Sequence, residues 1–177
     1  MKPYITPEIL PSGKRLLSFQ YEGTNRHEIE NLLKWNHIIG YSMPEGHTFQ
    51  SAWIFRLILR EGIFLEFSSA CTQVIGWQEV GSLNILLKNS TEVGVSDEEL
   101  ILKTIEISEF RIEKLEKMVH EDADVISECG LIFRGPHDQE IVIAVGTPPG
   151  SVSIFSEFSH GAFEPQFLTS SCYRASV

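Results

Sequence analysis

The chain has 177 residues, of which 42% are apolar, 10% aromatic and 21% charged, with a mean hydropathy of -0.02. This is globular composition, and it excludes a disordered chain, a collagen-like chain and a coiled coil. Asp and Glu number 24 against 14 Lys and Arg, a formal net charge of -10, so the surface repels phosphate backbones, offers no polybasic patch to anionic lipids and attracts a basic partner.

Taken in chain order, the first residues do not read as a signal peptide: Lys2 is followed by Pro3 and Pro7, and no apolar run follows. The most apolar stretch, Trp53 to Phe67, is broken by Arg56, Arg60, Glu61 and Glu66, so it falls short of the roughly 18 apolar residues of a spanning helix. Three scattered cysteines, Cys71, Cys129 and Cys172, make no disulfide framework. The cytoplasm is the expected compartment.

Lys14 to Tyr21 alternates loosely and predicts a first strand. Asn25 can cap a helix over 25–39 whose apolar face carries Ile29, Leu32 and Leu33. Gly40, Pro44 and Gly46 mark 38–48 as loop. Ala52 to Leu59 and Ile63 to Phe67, joined through Gly62, read as a hairpin. Leu83 to Leu87 adds a strand. Ser96 with Glu99 has the form of a capping box, but the β-branched run that follows favours a strand from Leu100 to Ile107. Phe110 to His120 has helical spacing at Ile112, Leu115 and Val119, with Glu113 and Lys117 as an i, i+4 pair. The acidic residues after it sit at the wrong end for the helix dipole, so the helix either stops near His120 or runs on to about Ser127. Leu131 to Phe133, Ile141 to Val145 and Ser151 to Phe155, separated by RGPHD and GTPPG, form an antiparallel meander. Beyond Ser159 the chain reads as irregular, packing over the sheet. The expected fold is α+β: one domain over 1–177, a mostly antiparallel sheet of about six strands with one or two packed helices.

Motifs for chemistry are few. His27-Glu28 lacks the second His of a zinc-protease helix, since Asn31 stands there. His27, His37 and His47 recur every ten residues, which is not ligand spacing. No glycine-rich phosphate loop and no nucleophile elbow is present. Cys129 follows a carboxylate, which blunts a thiol, and reads as a small buried hydrophobe. No catalytic residue, metal site or cofactor is expected.

The segment ECGLIFRGPHDQEIVIAVGTPPGSVSIF, Glu128 to Phe155, and then GAFEPQFLTSSCYR, Gly161 to Arg174, carry a resemblance. This part of the chain resembles the small acidic immunity proteins encoded beside bacterial toxins, including those of contact-dependent growth inhibition. The resemblance implies a non-catalytic protein that binds one cognate toxin domain, commonly a basic nuclease, and occludes its active site. It carries no functional residue across, because such proteins bind through variable surfaces.

The sequence has two acidic clusters, Asp97, Glu98 and Glu99, and Glu121, Asp122 and Asp124. They are the expected partner-binding residues, able to steer and to mimic phosphate. The alternatives are a small-molecule-binding module or minor enzyme, with a pocket lined by Trp35, Trp53, Trp77 and Phe163, and an adaptor whose acidic surface serves solubility.

Overall fold

The computed structural model describes residues 3–33, 36–89 and 101–177. Among them are thirteen strands and one α-helix. The fold is therefore mostly β, which corrects the expected α+β balance, and the strands form two sheets rather than one. Among the described residues no helix is long and apolar enough to cross a membrane.

The first sheet has seven strands: β1 (Glu8–Ile9), β2 (Arg15–Leu17), β9 (Lys114–Glu121), β10 (Val125–Arg134), β11 (Glu140–Val145), β12 (Val152–Phe155) and β13 (Cys172–Ser176). β10 is its axis. β9 runs antiparallel along one edge of β10 and carries β13 on its far side. The other edge of β10 is divided: β2 pairs in parallel with Val125–Ser127, and β11 pairs antiparallel with Gly130–Arg134. The predicted meander is β10–β11–β12.

The second sheet has the order β3 (Gln20–Glu22), β7 (Glu79–Asn89), β6 (Ile63–Gln73), β5 (Phe55–Leu59), β4 (His37–Pro44), β8 (Leu102–Arg111). The predicted hairpin is β5–β6, and its turn needs Glu61 and Gly62 at positive φ (66° and 72°). The expected first strand is in fact two short ones, β2 and β3, which join different sheets.

The sheets pack through a core that includes Phe55, Leu57, Leu65, Phe67, Leu131, Phe133 and Ile143, all fully buried. A second cluster takes the alternate residues of the first sheet, Met118, Ile132, Val142 and Ala144, with Leu17, Val74, Val80 and Phe167. The first sheet is thus apolar on both faces. This is why β10 and β11 read as nearly continuous apolar runs instead of alternating ones.

The single helix, α1 (Arg26–Leu33), is shorter than its predicted span. Its start is a reciprocal cap: the Asn25 side chain accepts from the Glu28 amide at 3.0 Å, and the Glu28 carboxylate accepts from the Asn25 amide at 3.2 Å. Ile29 and Leu33 enter the core.

Further expectations are corrected. The chain beyond Ser159, read as irregular, ends in β13, which pairs with β9. The region 38–48, read as loop, contains most of β4. The helix over Phe110 to His120 is absent: these residues end β8 and form β9. The supposed helical pair of Glu113 and Lys117 does not exist. Glu113 pairs with Arg111, and Lys117 pairs with Glu128 across the β9–β10 ladder. A strand with both faces buried places apolar residues at adjoining positions, as Met118 and Val119 do here, and this imitates helical periodicity. The strand predicted over 100–107 is β8, displaced towards the C-terminus. The Ser96–Glu99 capping pattern lies outside the described residues.

Candidate functional site

β8 ends the second sheet, and among the described residues it pairs with β4 alone. Their ladder is interrupted. Gly40 faces Glu106 and Ile38 faces Phe110, so Ile39 alone stands opposite Ile107, Ser108 and Glu109. Such a bulge re-aims side chains and ends regular pairing. Gly40 is required there, because a Cβ would come within 2.9 Å of the Ile105 carbonyl oxygen.

The bulged segment forms one wall of a cleft of about 390 Å³. The start of β11 and the residues just after β12 form the other walls. Tyr41, Phe110 and Ile141 line it as buried groups, and Phe158 stacks on Tyr41 with ring centroids 5.0 Å apart. Burial raises the Tyr41 hydroxyl above its ordinary pKa, so it stays neutral at pH 7. Four carboxylates share the cleft: Glu106, Glu109, Glu140 and Glu157.

The four are not equivalent. Glu109 pairs with Arg60, and its Oε1 is 3.8 Å from His37 Nδ1. Glu140 is held by Arg174 at 2.6 Å and Arg134 at 3.1 Å. Glu157 accepts from the Gln139 side-chain amide at 3.0 Å. Glu106 and Glu157 are exposed, and neither has a cationic partner among the described residues. The arrangement is an apolar floor with two unneutralised carboxylates on its rim. It can receive a cationic side chain.

The arginines behind Glu140 extend into a network across the outer strands. Glu116 on β9 accepts from Lys114 at 2.7 Å and from Arg134 at 2.8 Å. The Lys114 and Arg134 hydrogen bonds hold the Glu116 carboxyl below the usual carboxylate range, against the opposing effect of burial. A carboxyl lowered in the folded state stabilises fully above its unfolded pKa of about 4.3 and loses that contribution as pH falls through the folded value. Glu116→Gln is therefore expected to cost about 1–2 kcal/mol at pH 7 and to weaken the loss of stability on acidification below about pH 4. Thermal melts of both proteins at pH 7, 4 and 3 test this; parallel acid slopes would show that the network contributes nothing.

The acidic residues singled out from sequence lie elsewhere. Glu121 ends β9, and Asp122 and Asp124 lie in the turn to β10. Lys14 donates to Glu121 at 2.7 Å. The Asp122 carboxylate accepts from the Asp124 and Val125 amides, each at 2.8 Å, and so closes the turn. Asp124 is exposed. This turn adjoins the start of β10, whereas Glu140 pairs with Arg134 at its end, roughly 25 Å away at strand rise. Asp97, Glu98 and Glu99 lie outside the described residues.

Of the aromatics expected to line a pocket, Trp53 and Phe163 do not converge. Trp53 is 69% exposed and packs edge-on against His47. Phe163 lines a different cavity, of about 340 Å³, beside β13. Trp35 and the Trp77 side chain lie outside the described residues. Among the described residues no group of three or more His, Cys, Asp or Glu is placed to hold a metal ion.

The four cleft carboxylates escaped the sequence reading because they come from β8, β11 and the segment after β12, with no fixed spacing. The one local signal was IEISE, Ile105 to Glu109, where two carboxylates adjoin a β-branched run. Comparison with family models, with curated proteins and with solved structures gives no match.

Proposed function

We propose that the chain is a non-catalytic, cytoplasmic immunity protein that binds a basic toxin domain and occludes its active site. The observation that supports this most is the cleft beside β8, where Glu106 and Glu157 stand over an aromatic floor without cationic partners among the described residues. A nuclease presents Lys, Arg and His towards phosphate. Carboxylates on a rigid rim mimic that phosphate, and a net charge of -10 speeds the encounter. The apolar floor supplies the buried contact area that charge alone lacks. Asp97, Glu98, Glu99, Glu121, Asp122 and Asp124 add negative charge in this reading and act mainly through steering. Asp122 contributes least, since its carboxylate is already engaged in the turn.

The test begins with co-purification of the tagged chain with the product of its genetic neighbour. The expected result is a stoichiometric basic domain released only by denaturant. Recovery of the chain alone, with the neighbour harmless in its absence, would sink the immunity reading. Within a complex, Glu106→Lys with Glu157→Lys is expected to slow association at least tenfold at low salt and to flatten its salt dependence. Reversing Glu121 and Asp124 is expected to do less. An unchanged rate and salt slope for the first pair would remove the cleft from the interface.

A further inference from the structure

Two thiols meet on the face of the first sheet turned away from the main core. Cys129 on β10 is fully buried and Cys172 on β13 is partly exposed, with their sulfurs 4.0 Å apart. Cys129 occupies the bulge between Glu128 and Gly130, and its sulfur lies 3.3 Å from the Met118 carbonyl oxygen. Cys172 begins β13 opposite His120 of β9 and lines the 340 Å³ cavity together with Met118, Phe155 and Phe163.

β9 lies between β10 and β13, so the two cysteines stand on strands that are not neighbours and their side chains reach across β9. A disulfide holds its sulfurs about 2.05 Å apart, whereas these stand 4.0 Å apart and both thiols are free. Closing that gap would draw β10 and β13 together over β9, while the existing separation suffices for the sulfurs to share a proton. The buried Cys129 keeps that proton: its hydrogen bond to Cys172 and its burial both raise its pKa. The same hydrogen bond, opposed by burial and helped by Ser171, holds the Cys172 thiol below the ordinary thiol range. The titratable and charged groups around Cys172 are Cys129 from β10, His120 and Glu121 from β9, Glu140 from β11, and Tyr173 and Arg174 on its own strand. Cys71 differs: burial and the neighbouring Glu79 raise its pKa.

We propose that Cys172 is a site of S-thiolation by a low-molecular-weight disulfide, with Cys129 as its hydrogen-bond donor rather than its resolving partner. The Cys172 thiolate attacks one sulfur of the small disulfide. A new S–S bond forms as the old one breaks, and the departing thiolate carries away the electron pair and takes a proton from water. The protein thiol is oxidised and half of the small disulfide is reduced. The attached half sits in the cavity beside Phe155 and Phe163.

The test treats the full chain with glutathione disulfide at pH 7 and maps adducts by peptide mass spectrometry, with iodoacetamide rates measured from pH 5.5 to 9. The expected result is one adduct, on Cys172, and alkylation of Cys172 about tenfold faster than of Cys71 at pH 7. Cys129→Ala is expected to slow Cys172 at pH 7 about fivefold, by moving its titration towards the ordinary thiol value. Cys129→Ser, whose hydroxyl still donates, restores part of the rate. Adducts forming first on Cys71, an internal Cys129–Cys172 disulfide in place of the adduct, or a Cys172 rate indifferent to both substitutions would overturn the proposal. If Cys129→Ala does not fold, the wild-type map and the serine variant decide.

Discussion

Phe133→Ala is expected to destabilise the fold by about 4 kcal/mol, measured as the shift of a urea unfolding curve at constant slope. Phe133 is fully buried on β10 and meets Phe67 of the second sheet edge-on, with ring centroids 6.2 Å apart at 89°. Removing its ring takes away transfer free energy and leaves a cavity between two hydrogen-bonded sheets, which cannot close independently of their ladders. Against a typical total of 5–15 kcal/mol, the variant is left marginal. Phe133→Leu keeps most of the volume and is expected to cost under about 1.5 kcal/mol. A loss below about 1 kcal/mol for the alanine variant would show that the sheets do not depend on this contact.

Lys117→Met is expected to cost about 3 kcal/mol, for a different reason. The Lys117 and Glu128 side chains are only 15% and 14% exposed, and they pair across the β9–β10 ladder. Glu128 also accepts from the Phe19 amide at 2.8 Å, in the link between β2 and β3. Burial, with Glu128 as the next cause, pushes the nearby Tyr21 hydroxyl up to about 12. Removing the lysine leaves a buried carboxylate with no cation, and such a group costs more than the pair is worth. Glu128→Gln added to Lys117→Met removes the stranded charge but keeps an acceptor for Phe19. The double variant is expected to recover more than half of the loss. Additive losses in the double-mutant cycle would show that the two side chains do not act as a pair.

How much of this was legible depended on where the restraints act. The β5–β6 hairpin and the β10–β12 meander were readable because each turn carries its own glycine or proline beside a β-prone run. The start of α1 was readable because Asn25 is a residue type that caps helices, although its reciprocal partner Glu28 was not read. β9 was not, because its restraints come from neighbouring strands. Lys117 answers to Glu128, and Glu116 answers to Arg134, so charges that look like helical partners are cross-strand ones. β4 was lost for a related reason. Gly40 signals a break in sequence, yet in the sheet it is the residue small enough to lie against the Ile105 carbonyl. The carboxylates of the cleft converge only after β8 and the β11–β12 region have packed, and no local pattern records that convergence.

The parallel placements of β2 and β3 set a timetable for synthesis. Leu17 pairs with Ser127, and Tyr21 pairs with Ile85. On a ribosome adding 5–20 residues per second, Leu17 is made roughly 5–20 s before its partner. During that interval Leu17 has no strand to pair with, whereas Tyr21 waits only for β7. The second sheet can accept β3 while the first does not yet exist, so the link between β2 and β3 is anchored at one end first. The nascent chain is therefore exposed to chaperones and to self-association through β2 until β10 has emerged.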